Sequence, residues 1–487
     1  MWGGRTKRTG KEPALKFGRT KFNRRGRRSL YRRQISVRGR LTLLGLGAAG
    51  LVGIAMFWSP ASSPDGDRRV MANIFEMKEI FDSPDTAASV PAEAALLSRL
   101  PISVDDYADL ERSLSLDSSG ETPIRKAEGE YIIEYSFDPA LTQRVLRILD
   151  RGRVKNGHVI VLDPQSGRVL AYVSTDSEEF PPQGSYPAAS LVKIVTAAAG
   201  LGHAPEKTRR PCIYSGNQYR LTRSSVHRPK SGHSVSLEHA LASSNNRCFA
   251  QLAVDTLGEE VMLATLERFG WTSSPAPGHA PGAIDRGEGD YDLGRLGSGL
   301  AHTRITPLHA VQLAASLVSG ERVEPWWVDR VLDSEKRELA LPPRSAPERV
   351  MSSETAAELR KMLVRTTTHG TARGAFRDHR GRPRLGDVKV AGKTGNLTGS
   401  SPQGRYEWFM GLAPAEKPRV AIVVLQLQSN LWWSKSSELA ADLLAEIFCE
   451  RKKCRAGLAD RFTGALGGAV APVLLSDPAT TLNASMR

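Results

Sequence analysis

Ser190 and Lys193 stand three residues apart at the head of an apolar run, YPAASLVKIVTAAAGLG, over residues 186–202. In a helix that spacing puts both side chains on one face, a turn apart. A serine hydroxyl is a poor nucleophile until a base takes its proton. A lysine can be that base when burial and cationic neighbours depress its pKa. Leu191, Val192, Ile194 and Val195 would supply the burial. A helix start also offers free N–H groups to developing negative charge. The plainer alternative is an N-cap serine beside an exposed lysine, since a Ser-x-x-Lys pair arises easily in a chain of 487 residues.

Two further polar islands lie downstream between apolar elements. One is Ser243-Ser244-Asn245-Asn246, which interrupts a helical stretch over residues 236–257. The other is Lys393-Thr394-Gly395, followed by Asn396, at the end of a strand expected over residues 387–395. A lysine and a threonine hydroxyl together suit a carboxylate ligand. A glycine on a strand lets another chain lie against the backbone. No spacing of His, Cys, Asp or Glu suggests a metal, and no cofactor motif is present.

These islands need elements to hold them. The pattern predicts a helix over residues 139–150, with Leu141, Val145, Leu146 and Leu149 on one side. Strands follow at 158–162 and 168–173, joined by the turn Asp163-Pro164-Gln165-Ser166-Gly167. The run carrying Ser190 reads as a buried helix stopped by Gly200 and Gly202. Thr306-Pro307 marks a helix start before the apolar stretch 308–318. Strands at 406–413 and 420–427 and an amphipathic helix at 436–448 close the series. Hairpin, helices, antiparallel strands, helix: this order predicts an α+β domain, its antiparallel sheet flanked by helices.

The net charge of +15 is concentrated in residues 1–40, which hold 15 Lys or Arg and one acid, Glu12. The folded part is therefore near neutral, so the high pI says nothing about its substrate; a nucleic-acid role for the arm is the alternative to a positive-inside reading, which explains the same charge without another partner. Residues 41–58, LTLLGLGAAGLVGIAMFW, carry no charge and are just long enough for a transmembrane helix. The basic arm before them predicts a cytoplasmic N-terminus and an extracytoplasmic remainder, single-pass in the inner membrane and surrounded by its lipid. A cleaved signal peptide is the rival, but a 40-residue n-region is too long for one. Residues 59–130 read as a polar linker or short stalk, 131–455 as the catalytic domain, and 456–487 as a tail. All four cysteines follow the span, so disulfides are expected: Cys449 with Cys454 around a small loop, and Cys212 with Cys248. Buried free thiols are the alternative.

Taken in order and context, the three islands resemble the signature set of the penicillin-recognising serine acyl-transferases. The resemblance runs from about residue 131 to 448. It includes VLDPQSGRVLAYVS before the first motif, RITPLHAVQLAASLVSG before the third, and VAGKTG with EWFMGLAPAEKPRVAIVV. The chain looks like a class B-like penicillin-binding protein, a D,D-transpeptidase of peptidoglycan. The resemblance implies that Ser190 attacks the penultimate D-alanine carbonyl and that Lys193 is its base. It implies that Ser244 relays a proton and Asn246 binds the substrate amide. Lys393 and Thr394 would hold the terminal carboxylate, Gly395 would admit the substrate, and the N–H groups of Ser190 and Asn396 would form the oxyanion hole. Stem peptides and β-lactams are the implied ligands. A separate glycosyltransferase is an implied partner, because 70 residues of stalk leave no room for a fused one.

The second motif has two registers, Ser243-x-Asn245 and Ser244-x-Asn246; aligning Phe249-Ala250-Gln251-Leu252 with the family's helix favours the second. Two departures stand out: Asn396 where a small residue or threonine is commoner, and Pro187-Ala188-Ala189 in place of Pro-Gly before the serine. A membrane-anchored serine β-lactamase and a non-catalytic penicillin-binding sensor share the motifs. Glu259, Glu260 and Glu288 are the glutamates a hydrolase could recruit. His302 and His309 read as packing or helix-end residues, Trp432 and Trp433 as cleft or core residues, and 365–373 as a loop over the groove.

Overall fold

The computed structural model describes residues 125–463 apart from 129–130, 342, 429–432 and 452. The basic arm (1–40), the uncharged run (41–58), the linker up to residue 124 and the tail beyond residue 463 lie outside the described residues. Among the described residues no helix is long and apolar enough to cross a membrane.

The first elements are β1 (Arg125–Glu128), β2 (Tyr131–Tyr135), α1 (Pro139–Arg151), β3 (Asn156–Leu162) and β4 (Val169–Ser174). Then come α2 (Val192–His203), β5 (Cys212–Tyr214), β6 (His233–Val235), α3 (Leu237–Ala242), α4 (Asn246–Gln251) and α5 (Gly258–Arg268). The middle holds α6 (Gly289–Ser298), α7 (Pro307–Ser316), β7 (Val328–Leu332) and α8 (Ser353–Thr368). The chain returns through β8 (Ala391–Ser400), β9 (Gln403–Ala413) and β10 (Val420–Gln428) to α9 (Ser436–Phe448).

The main sheet is antiparallel throughout, in the order β8-β9-β10-β3-β4. Every residue of β4 is buried, and so is all of β3 after its first residue, so the sheet is covered on both faces. The helices α1, α7 and α9 pack on it. Each has a sequence reason to form. Asp138 caps α1 by accepting from the Leu141 N–H, with Pro139 next in line. Thr306 caps α7 in the same way, accepting from His309 N–H, and all ten residues of α7 are buried. The expected α+β class, helices, hairpin and strands are therefore found.

Five details differ from the sequence reading. The helix carrying Lys193 runs through both glycines to His203 and ends at Ala204-Pro205. Gly200 is there for closeness, since a Cβ would come within 2.9 Å of Thr208. The strand of the third motif starts at Ala391, not Asp387, and continues past the motif to Ser400. Its pairing with β9 is unbroken from Ala391↔Leu412 to Ser400↔Gln403. The polar residues Asn396, Thr398 and Ser400 point outward from this edge strand, which is why they look unlike a strand in sequence. Residues 365–368 belong to α8 rather than to a loop. Finally, β1 pairs with β2 inside the stretch read as linker, and a short helical segment at 456–463 packs beside α9.

Both disulfides are present: Cys212–Cys248 and Cys449–Cys454.

Candidate active site

The turn before α2 carries Ser190 in a single 3-10 turn, Ala189–Leu191. Ala189 has a φ of 50°, a left-handed conformation that a side chain resists. Such strain costs on the order of 1–3 kcal/mol and persists only where packing enforces it. Here Gly299 (φ 72°) presses on the turn: a Cβ on it would fall 2.0 Å from the Ala189 carbonyl oxygen. On the other side Gly395 of β8 lies against the turn, where a Cβ would be 3.4 Å from that of Ala189. The indole N–H of Trp408 donates to the Pro187 carbonyl at 2.8 Å and ties the segment to the sheet. Ser190 itself is half-buried.

Lys193 is fully buried in the first turn of α2. Its Nζ lies 2.7 Å from Ser190 Oγ, 2.8 Å from Asn246 Oδ1 and 2.5 Å from the Ser298 carbonyl oxygen. No carboxylate is among these partners. Burial, and next the positive charge of Lys393, hold its pKa well below the ordinary lysine range.

The second island forms the break between α3 and α4. Ser244 has a φ of 56°, which turns its hydroxyl toward Lys393; Lys393 Nζ donates to Ser244 Oγ at 3.0 Å and to the Thr394 carbonyl at 2.8 Å. Asn246, the first residue of α4, reaches Lys193. The competing register is occupied elsewhere: Ser243 Oγ donates to the His239 carbonyl, and Asn245 caps α4 by accepting from Cys248 N–H. Lys393 is fully buried, and burial pulls its pKa down to about 7. Thr394 is half-buried, with its hydroxyl 2.5 Å from that of Thr371. Asn396 is exposed on the same edge strand, and its side chain takes no part in this network.

The structure thus forms two groups of polar contacts, Ser190-Lys193-Asn246 and Ser244-Lys393-Thr394, close enough for the charge of Lys393 to act on Lys193, with Gly395 and Asn396 on the same strand as Lys393. Three contributors were not singled out from sequence. Thr371 follows the end of α8. Gly299 and the Ser298 carbonyl close the end of α6, and the Gly297-Ser298-Gly299 triplet was their available signal. His309 is a packing residue, with Nε2 3.0 Å from the Phe269 carbonyl oxygen, and His302 is exposed. Glu259, Glu260 and Glu288 are all exposed. Trp433 is exposed under the Arg153 guanidinium; Trp432 lies outside the described residues. No cluster of His, Cys, Asp and Glu able to hold a metal occurs among the described residues.

The arrangement offers a serine with a deprotonatable amine at its side and a second cation placed for an anionic group. Comparison with known proteins points the same way. Over 310 residues the chain is 25% identical to the peptidoglycan D,D-transpeptidase PbpA of Mycobacterium tuberculosis, covering 55% of this chain and 61% of that one. It is 24% identical over 359 residues to stage V sporulation protein D of Bacillus subtilis, covering 67% and 51%. The chain thus spans about three fifths of the length of the PbpA relatives it matches. In fold it resembles the crystal structure of PBPA from M. tuberculosis (TM-score 0.54, 21% identity, 64% of this chain and 81% of that one). It also resembles a D,D-transpeptidase domain from Eggerthella lenta (TM-score 0.53, 19% identity, 68% and 85%). The family model of the penicillin-binding protein transpeptidase domain matches residues 157–448, from the second residue of β3 to the last of α9. That span encloses all three polar islands, and the chain belongs to the penicillin-binding protein transpeptidase family.

Proposed function

We propose that the chain is a serine D,D-transpeptidase that cross-links peptidoglycan stem peptides through an acyl-enzyme on Ser190 and binds penicillins covalently at the same atom. The observation that carries this reading is the buried Lys193 amine 2.7 Å from Ser190 Oγ, with no carboxylate to keep it charged. In its neutral form it takes the serine proton as Oγ attacks the carbonyl carbon of the penultimate D-alanine. The oxyanion forms between the N–H groups of Ser190 and Asn396, which Gly395 brings near by lying against Ala189. Ser244 passes a proton to the departing D-alanine amine. Asn246 holds the substrate amide, and Lys393 with Thr394 holds the terminal carboxylate. An acceptor amine then takes the acyl group; water in its place gives carboxypeptidase activity.

The relatives named peptidoglycan D,D-transpeptidases support this substrate class, and the penicillin G and imipenem acyl-enzymes of M. tuberculosis PBPA support the covalent β-lactam chemistry. The uncharged run 41–58 after its basic arm supports a single-pass anchor with the catalytic domain, residues 131–455, outside the cytoplasm. Two disulfides agree with an oxidising compartment. A separate glycosyltransferase supplies the glycan strands.

A β-lactamase would need a water activated beside the ester. Asn246 Oδ1 occupies the place beside Lys193 Nζ, which leaves a carbon dioxide adduct of that lysine no partner site. The test is labelling of the full chain with a fluorescent penicillin, followed by a chase. A label that stays on Ser190 for many minutes is expected. Rapid turnover of a chromogenic β-lactam would make the protein a β-lactamase, and no label at all would leave a domain without acyl-transfer chemistry.

A further inference from the structure

The two-stranded hairpin β5–β6 is a poor structural element by itself. Its strands are three residues each, and none of the six is buried. An isolated short hairpin is at best marginally stable in water. Yet its loop makes a concentrated set of contacts with one place, the start of α4. The Gln218 carbonyl accepts from Asn246 N–H at 2.9 Å, and the Tyr219 carbonyl accepts from Asn246 Nδ2 at 2.7 Å. The carbonyls of Asn217 and Arg220 both accept from Arg247 Nε, at 2.9 and 3.0 Å. Four consecutive carbonyls therefore face two consecutive residues. The Cys212–Cys248 bridge fastens the first strand of the hairpin to α4 two residues beyond Asn246.

The consequence lies in the amide of Asn246. Its oxygen and nitrogen have nearly the same shape, and only partners decide which end faces where. On one side stands Lys193, 2.8 Å away; on the other stands a carbonyl that can only accept. The Tyr219 carbonyl forces Nδ2 outward and so turns Oδ1 to Lys193. With the amide reversed, Nδ2 would donate to the lysine lone pair and take it from Ser190.

We propose that the β5–β6 loop, held to α4 by the Cys212–Cys248 disulfide, is a positioning device that fixes the amide orientation of Asn246 and thereby directs the Lys193 amine at Ser190. This rests on the acyl-transfer reading of the site. It also links acylation to the oxidation state of that one bridge. The charged group facing Lys193 from a neighbouring element is Lys393 of β8.

The experiment measures the acylation rate of the full chain in detergent by a fluorescent penicillin across pH, with folding followed by thermal melts. Cys212→Ser/Cys248→Ser is expected to lower the rate by roughly tenfold, the worth of about one hydrogen bond to a charged group. It should also move the acidic limb of the profile to lower pH, because an amide oxygen that stabilises the ammonium form is lost. Arg247→Ala, which loosens the loop without opening the bridge, should move both in the same direction by less. Cys449→Ser/Cys454→Ser should move neither. An unmoved pH profile in folded Cys212→Ser/Cys248→Ser overturns the proposal, as does a rate that falls only with the folded fraction. Should that variant fail to fold, an unchanged rate and profile in Arg247→Ala overturns it. Absence of acylation in the unaltered chain instead removes the acyl-transfer reading, and this proposal with it.

Discussion

Lys193 sits on the first turn of a helix among three oxygen partners, one of them Ser190 Oγ. Lys393 sits on an edge strand and has two, Ser244 Oγ and the Thr394 carbonyl. Both are fully buried, and both have pKa values lowered chiefly by that burial. The helix holds its lysine against atoms of the protein, fixed by Asn246 and Ser298. The strand holds its lysine beside the half-buried Thr394, at the side where a ligand would meet it. One amine is placed to exchange a proton with a neighbour. The other, with a pKa of about 7, is placed to become fully charged when an anion arrives. On the proposed reading, the same residue type buried in two backbones serves as a base in one and as an anion site in the other.

The largest effect should come from the helix side. Ser190→Ala should abolish penicillin labelling while leaving the melting temperature nearly unchanged, since only a hydroxyl is removed. Lys193→Met should lower acylation by about 100- to 10,000-fold, the usual worth of a positioned general base. If Lys193→Met labels normally, the contrast between the two lysines is lost. Peptide mapping of the labelled protein then identifies the nucleophile.

The strand side should respond more weakly and in a substrate-dependent way. Lys393→Met should lower acylation by a carboxylate-bearing penicillin roughly 10- to 100-fold, as for a lost charge-assisted hydrogen bond. With the methyl ester of the same penicillin the loss should be much smaller. The variant should also alter stability with a definite sign. Lys393 has a pKa near 7 folded and about 10.5 unfolded, so the unfolded chain binds more protons between those values. The unaltered protein therefore gains stability as pH rises from about 7 toward 10.5. Below pH 7 it carries the whole cost of a buried charge, which the methionine lacks. The melting-temperature advantage of Lys393→Met should be larger at pH 6 than at pH 9, and equal advantages would contradict this account of Lys393.

These contrasts were only partly legible in the sequence. Side chains with chemistry announce themselves, so Ser190, Lys193 and Lys393 could be named from type and order, while Ser244 and Asn246 needed the family resemblance to choose them over Ser243 and Asn245. Backbone groups do not. The Ser298 and Tyr219 carbonyls hold Lys193 and Asn246, and any residue could supply them. Thr371 fell within the segment 365–373, read as a loop over the groove, but was given no role there: it meets Thr394 only because α8 ends beside β8, across 23 residues. The third strand was placed short because GNLTGS has the composition of a turn, yet β9 supplies a partner for every residue of it. The apolar helices and strands were legible because their patterns are set locally; packing of Gly200 on Thr208 was not.

Thr371 gives a smaller test of the strand side. Thr371→Val keeps the shape but removes the hydroxyl 2.5 Å from Thr394 Oγ1. Thr394 then loses its partner and its preferred orientation. Acylation by carboxylate-bearing penicillins should fall by roughly threefold to tenfold, about one neutral hydrogen bond, with no change in melting temperature. An equal fall with the methyl ester would place Thr371 outside the anion site.

The smallest effect on chemistry is expected at the bridge that touches neither lysine. Cys449 and Cys454 face each other across a two-residue pair of strands after α9. They are five residues apart in sequence, whereas Cys212 and Cys248 are 36 apart. Chain entropy alone assigns about 2 kcal/mol to a loop as short as the first and about 4 kcal/mol to the second. The short bridge fastens the end of α9, where Cys454 also lies near the Arg384 carbonyl. Its support passes to the sheet through α9, which packs on β9 and β10 rather than on α2 or α4. Cys449→Ser/Cys454→Ser should therefore lower the melting temperature by a few degrees, consistent with that entropy in a domain of this size. The acylation rate and its pH profile should stay where they are. A drop in acylation at temperatures where the variant is fully folded would mean that the end of α9 reaches the edge strand through β9. The anion site would then depend on the back of the sheet as much as on its own hydrogen bonds.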